Sequence, residues 1–253
     1  MSRPRRWARW LAVAVSLIGL LLVADVAATL LWQEPVSAFR AWQAQRALSG
    51  QLDRQMADVR PTPAERRKLS TITGERDRIA YLARRLRART SEGAPLGRIR
   101  LPSQDRSYVL VWGDSESDLR KGPGVYPSTR LPGAGGTTAV AGHRTTYLAP
   151  FRDIDDLRRG DPVELQMPYG TFTYTVDRHE IVDARDVGVV RRAGSGTRLV
   201  LTACHPLYSA AQRIVVFAHL TRVDPDERAL GGKRGGSRRD VVGTTGGSHL
   251  PVR

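Results

Sequence analysis

Between Gly93 and Val223, short runs of β-type residues recur between turns rich in Gly, Pro and Asp, and this rhythm limits the fold more than any other feature of the chain. The runs are Gly97–Leu101, Tyr108–Trp112, Thr137–Ala141, Pro162–Gln166, Thr171–Val176, Glu180–Asp183, Arg198–Ala203 and Ile214–Leu220. Branched and aromatic residues bounded by turn residues read as strands. About eight of them in so short a stretch predict a β-barrel or a β-sandwich, with one short helical piece near Pro150–Leu157. Residues 93–223 are enough to bury a core of their own.

The N-terminus has another texture. Residues 1–10 carry Arg3, Arg5, Arg6 and Arg9, and the 21-residue run from Leu11 to Leu31 is apolar apart from Asp25. A bilayer span takes about 20 such residues, and Trp7, Trp10 and Trp32 flank the run as interfacial aromatics do. Asp25 lies off centre, within reach of the outer headgroups. A cleaved signal peptide is the competing reading, with a loose small-residue pattern around Val26-Ala27-Ala28. The run is long for that, and an uncleaved transmembrane anchor over 11–31 is expected. No arginine follows the span until Arg40, so the N-terminus is expected in the cytoplasm and the remainder outside.

Residues 32–92 read as a polar helical stem. Leu48, Leu52, Met56 and Val59 recur at helical spacing, Pro61 and Pro63 interrupt, and Thr62-Pro63-Ala64-Glu65 reads as a capping box that starts a second pattern through Leu69, Ile72, Ile79, Leu82 and Leu86. The stem is expected to space the following domain from the bilayer; a basic stem lying on anionic lipid is the sharper alternative. Residues 224–253 repeat Gly, Ser and Arg and are expected to be a disordered basic tail. The net charge of +15 resides largely in these flanks. No nucleic-acid-binding motif accompanies it, so nucleic acid is not an expected partner.

The only cysteine, Cys204, ends the apolar run LVLTA, and no internal disulfide is possible. His143 follows Thr137–Ala141 after Gly142, a residue that relieves local crowding. Arg213 opens the last run. Thiol, imidazole and guanidinium at the ends of three strands suit acyl transfer: a thiolate attacks a carbonyl, an imidazolium protonates the leaving amine and a guanidinium holds the oxyanion. A lone Cys is otherwise most often a small buried hydrophobe. His205 is expected to point away from Cys204 if the strand extends; His179 and His219 read as structural, and His249 lies in the tail. Gly133–Gly136 lacks a phosphate-loop pattern and reads as turns. Asp183 and Asp186 are too few to claim a Ca²⁺ site, and neither a metal nor a cofactor is expected.

Val200-Leu201-Thr202-Ala203-Cys204 with Arg213 downstream resembles the T-L-x-T-C signature and following arginine of sortases, the membrane-anchored cysteine transpeptidases of Gram-positive surfaces. Gly142-His143-Arg144 is similar to the family's histidine segment. The stretch from Leu119 to Leu165 resembles the class E housekeeping sortases of actinobacteria. The resemblance covers Gly93 to about Val223 and the anchor topology. It implies a closed eight-stranded β-barrel and cleavage of an LPXTG or LAXTG sorting signal between Thr and Gly through a Cys204 thioester. His143 would serve as acid and base and Arg213 as oxyanion or backbone holder. The secreted protein bearing the signal would be transferred to a peptidoglycan-precursor amine. Leu201, Thr202, Ala203, His205 and Arg144 are expected to support these groups or contact substrate. Val200 and Ala203 stand where the family usually has threonine, so Ala203 is expected to alter rate or specificity. Two other readings remain at this stage: a Cys/His L,D-transpeptidase, whose S-x-G-C context is missing here, and a non-catalytic wall-binding module on the same fold.

Overall fold

The strand rhythm closes into a barrel. The computed structural model describes residues 3–31, 35–186, 188, 190 and 196–231. Its strands are β1 (Pro95–Leu101), β2 (Arg106–Trp112), β3 (Gly124–Val125), β4 (Thr137–Ala141), β5 (Pro162–Met167), β6 (Gly170–Asp183), β7 (Arg198–His205) and β8 (Gln212–Pro225). They close in the order β1-β2-β3-β4-β7-β8-β6-β5. The β2–β3 and β4–β7 pairs are parallel and the others antiparallel. Closure leaves the sheet without an edge. Side chains alternate between the two faces of each strand. Leu199, Leu201 and Ala203 of β7 therefore join Leu110, Val140, Leu165, Phe172, Tyr174 and Val216 in the barrel interior.

The strand number agrees with the sequence reading, but two elements differ. Thr171–Val176 and Glu180–Asp183 are one strand, β6, with an irregularity between Val176 and Arg178. The polar triplet at 177–179 falls between the two runs in sequence. Cross-strand partners hold it in the sheet: Asp177 pairs with His219 at 2.7 Å and with Arg198 at 2.9 Å. The missed strand is β3, two residues inside Gly122-Pro123-Gly124-Val125. A Cβ at Gly124 would meet the Gly113 carbonyl oxygen at 2.1 Å, so only glycine lets the two backbones approach.

The N-terminal third is helical: α1 (Arg3–Leu31), α2 (Pro35–Ala57), α3 (Pro63–Ser70) and α4 (Glu75–Arg89), with a one-turn α5 (Glu116–Leu119) between β2 and β3. Within α1, Trp7–Ala27 is long and apolar enough to cross a membrane, and its side chains are exposed. The capping box forms as expected, the Thr62 hydroxyl accepting from the Glu65 N–H and the Glu65 carboxylate from the Thr62 N–H. Arg85 and Arg89, each at 3.5 Å, tie the same carboxylate to α4. These hydrogen bonds, the Thr62 N–H foremost, hold the Glu65 carboxyl below its ordinary range.

The stem does not stand apart from the barrel. Leu48 and Leu52 of α2 pack on Val109 and Val111 of β2. The Gln45 amide bonds Val109 on both sides, accepting from its N–H at 2.7 Å and donating to its carbonyl at 3.1 Å. Ile79, Ala83 and Leu86 of α4 join the main core. The apolar stripes read from sequence as parts of a spacer stem cover a barrel wall that would otherwise be open. Leu52, with no exposed surface, tests this: Leu52→Ala is expected to lower unfolding free energy by about 2–4 kcal/mol, as a buried truncation does. A detached spacer would change by less than about 0.5 kcal/mol in the same denaturant titration.

The expected tail also begins later than residue 224. β8 runs to Pro225, the Asp226 N–H bonds the Tyr169 carbonyl at 3.0 Å, and Ala229 and Leu230 are buried. Two apolar residues in a polar stretch suffice to dock it on the barrel. Residues 232–253 lie outside the described residues.

Candidate active site

The outer face of β4, β7 and β8 builds the site in rows. Ala139, Val200 and Phe217 are opposite one another across the three strands, and Ala141, Thr202 and Val215 form the next row. Cys204 lies opposite Arg213 in the third. The β4–β7 pairing continues past the end of β4, because the Gly142 N–H donates to the Thr202 carbonyl at 3.0 Å. Two residues beyond the Ala141–Thr202 pair, the two chains lead to His143 and to Cys204. The register thus sets Cys204 against Arg213 and leads the chain after β4, with His143 on it, toward the same end of the sheet. Below them lies an apolar floor of Ala139, Val200, Val215 and Phe217, against which Tyr126, Val182 and Val190 pack.

Gly142 has a packing reason. A Cβ there would meet the ring of Phe151 at 2.4 Å, and Phe151 is fully buried. The Phe151 N–H returns to the His143 carbonyl at 3.0 Å, which closes the loop after β4. The His143 ring packs on Tyr147, with centroids 5.0 Å apart. Its Nε2 is buried and has no hydrogen-bond partner among the described residues. Burial holds the imidazole below the ordinary histidine value; Glu116 pulls against this and Arg120 adds to it. The neutral form therefore dominates at pH 7. Above about pH 6.5 folded and unfolded chains both carry this histidine neutral, and it contributes nothing to the pH dependence. Below that, the unfolded chain takes up the proton first, so stability falls with pH until the folded imidazole titrates as well. NMR of the imidazole is expected to give a midpoint below 6.5. The unfolding free energy of wild type is expected to fall between pH 7.5 and 5 more steeply than that of His143→Gln. Equal slopes would contradict the burial argument.

Cys204 is half-buried and free. Arg213 Nη1 donates to the carbonyls of Ala210 at 3.0 Å and Gln212 at 2.9 Å, which aligns the guanidinium along its own loop. Thr202 shares the outer face: its hydroxyl and the Tyr126 phenol lie 2.8 Å apart. Burial pushes the Tyr126 phenol up, and Asp114, Arg213 and Cys204 are close enough to act on its charge. Sequence reasoning missed Tyr126; its place on the strand-poor Gly-Pro segment carried no periodic signal.

The supporting residues divide by face. Leu201 and Ala203 point into the barrel core and are 1% and 3% exposed. Ala203, the residue expected to alter rate or specificity, faces the core rather than the outer face. Strand alternation places it opposite to Cys204 and Thr202, where its small side chain is a packing choice. His205, on the extended end of β7, meets Arg144, whose Nη1 is 3.1 Å from its Nδ1. An arginine only donates, so Nδ1 accepts and the proton is on Nε2. Arg144 is itself buried, pairing with Asp155 at 2.5 Å and bonding the Arg152 carbonyl at 3.1 Å. It locks the loop after His143 to the end of the cysteine strand. Asp183 and Asp186 accept backbone N–H bonds from Arg185 and Gly188.

A sequence profile of the sortase domain matches residues 99–221. The chain is similar to sortase D of Bacillus subtilis, 30% identical over 128 residues that make up 49% of this chain and 63% of that protein. It is also similar to sortase SrtE2 of Streptomyces coelicolor, 26% identical over 52% of this chain and 58% of that protein. It thus spans less than two thirds of the length of these curated relatives. Among solved structures, sortase E from Streptomyces avermitilis superposes with a TM-score of 0.50 at 32% identity, over 55% of this chain and 99% of that one. With the closed barrel already described, these likenesses establish that the chain belongs to the sortase family and is similar to its class E members.

Proposed function

We propose that this chain is a membrane-anchored cysteine transpeptidase that cuts an LAXTG- or LPXTG-type sorting signal between Thr and Gly and transfers the acyl part to a cell-wall precursor amine. The observation that carries the reading is the third row of the sheet face, with Cys204 opposite Arg213 and the His143 loop held beside them. The Cys204 thiol first passes its proton to neutral His143, and the thiolate so formed attacks the threonyl carbonyl carbon, forming the C–S bond. The negative charge then developing on oxygen lies toward the Arg213 guanidinium, which has N–H donors beyond those engaged by Ala210 and Gln212. Collapse of the tetrahedral species breaks the C–N bond as the His143 imidazolium gives its proton to the departing glycine amine, and a thioester remains. The incoming amine loses a proton to neutral His143, attacks the thioester and releases the thiolate.

The exposed apolar helix α1 is consistent with a single-pass anchor. The arginines before it support a cytoplasmic N-terminus and an external barrel. Its protein partners would be secreted chains ending in the sorting signal.

The test mixes the full chain with LAXTG and LPXTG peptides and hydroxylamine and follows mass. A hydroxamate ending at Thr is the expected product, and the ratio of the two peptides reads the preference at the second signal position. Intact peptides together with an unmodified enzyme would refute the reading.

A further inference from the structure

Helix α2 has two faces of opposite character. Ser37, Ala41, Leu48 and Leu52 are buried on one side. On the other, Val36, Phe39 and Trp42 are 64%, 58% and 47% exposed. Phe39 and Trp42 stack with centroids 6.1 Å apart, and the Arg46 guanidinium lies 5.4 Å over the indole. Arg40 and Arg46 are both exposed. No acidic residue occurs from Pro35 to Leu52. Scattered exposed apolar residues need no explanation. Two stacked aromatics and a valine among cations, on one face of a helix that begins four residues after an apolar span, have the composition of an interfacial helix.

We propose that this face of α2 lies in the headgroup layer of an anionic bilayer, at the outer end of α1. The aromatics would reach the acyl boundary while Arg40 and Arg46 meet lipid phosphates. The same helix turn touches the site. The buried Ser37 hydroxyl accepts from the Tyr147 N–H at 3.4 Å, and Tyr147 packs on His143. Tyr147, Leu148 and Ala149 all have positive φ, at 51°, 65° and 41°. A run of three non-glycine residues in the left-handed region is costly and needs to be held from outside. The lipid-bound helix thus holds one side of the histidine loop and fixes the mouth of the site relative to the membrane plane.

This inference rests on the membrane reading of α1, and its test separates the two. Cys204→Ala removes the only native thiol, so single cysteines can be placed by Leu21→Cys, Phe39→Cys or Ser103→Cys in the full chain. Each is labelled with a nitroxide and reconstituted into phosphatidylglycerol/phosphatidylethanolamine vesicles. Collisions with oxygen and with a water-soluble nickel chelate read depth. The expected result is a deep label at 21, a label at 39 about 5–10 Å below the phosphates, and an aqueous label at 103. A deep label at 21 with an aqueous label at 39 overturns the α2 inference and leaves the anchor standing. An aqueous label at 21 overturns the anchor and the inference with it. A label at 39 shielded from both oxygen and nickel means that protein, such as a second copy of this chain, covers the face, and also overturns the proposal.

Discussion

Cys204→Ala is expected to abolish cleavage of the sorting signal, lowering kcat/KM by about 10⁴–10⁶-fold, the scale of losing a nucleophile that acts as a unit with its acid–base partner. The barrel should be unaffected. Cys204 is at the outer end of β7, half-buried, and outside the main core that Leu199, Leu201 and Ala203 build. An alanine there opens no interior cavity, so a change in stability within about 1 kcal/mol is expected. The measurement pairs hydroxamate formation with a thermal melt. Cleavage that survives in a folded Cys204→Ala protein would remove the thioester from the mechanism and with it the transpeptidase reading.

The second large effect is expected at Arg213. Arg213→Ala should slow acylation about 10²–10³-fold, the usual consequence of deleting a charged donor aimed at a developing oxyanion. Arg213→Lys keeps the charge and loses the planar fork, so it should fall between wild type and alanine. Because Arg213 also bonds the Ala210 and Gln212 carbonyls, a slow variant could reflect a loosened loop. The alkylation rate of Cys204 by iodoacetamide distinguishes the two, since alkylation forms no tetrahedral oxyanion. Alkylation within about twofold of wild type beside a 10²-fold loss in acylation is the expected pattern. Parallel losses in both would assign Arg213 to loop structure.

The two faces of β7 explain much of what could be read in advance. Cys204, His143 and Arg213 were legible because each ends or begins an apolar run, and strand ends are where a sheet presents polar groups. That Cys204 faces Arg213 needed the register, which sets Ala141 opposite Thr202 and Cys204 opposite Arg213. The same register turns Ala203 inward and makes it a core residue. A linear motif treats neighbouring letters as one site, whereas a strand separates them onto opposite faces. Tyr126 shows the converse, since it reaches Thr202 across 76 positions.

What the sequence determined by itself was local. The span-length apolar run, the capping box at Thr62–Glu65, most strand positions and the need for glycine before His143 follow from periodicity, side-chain hydrogen bonding or size, all short-range. The tertiary structure alone decided what each apolar stripe covers. Leu48 and Leu52 could serve a free-standing stem or a barrel wall, and only their burial against Val109 and Val111 of β2 makes them part of the domain. Ala229 and Leu230 could belong to a polar tail, and only a docking surface on the barrel buries them. Hydrophobic burial is proportional to area and indifferent to direction, so a sequence can show that a face must be covered before anything shows by what.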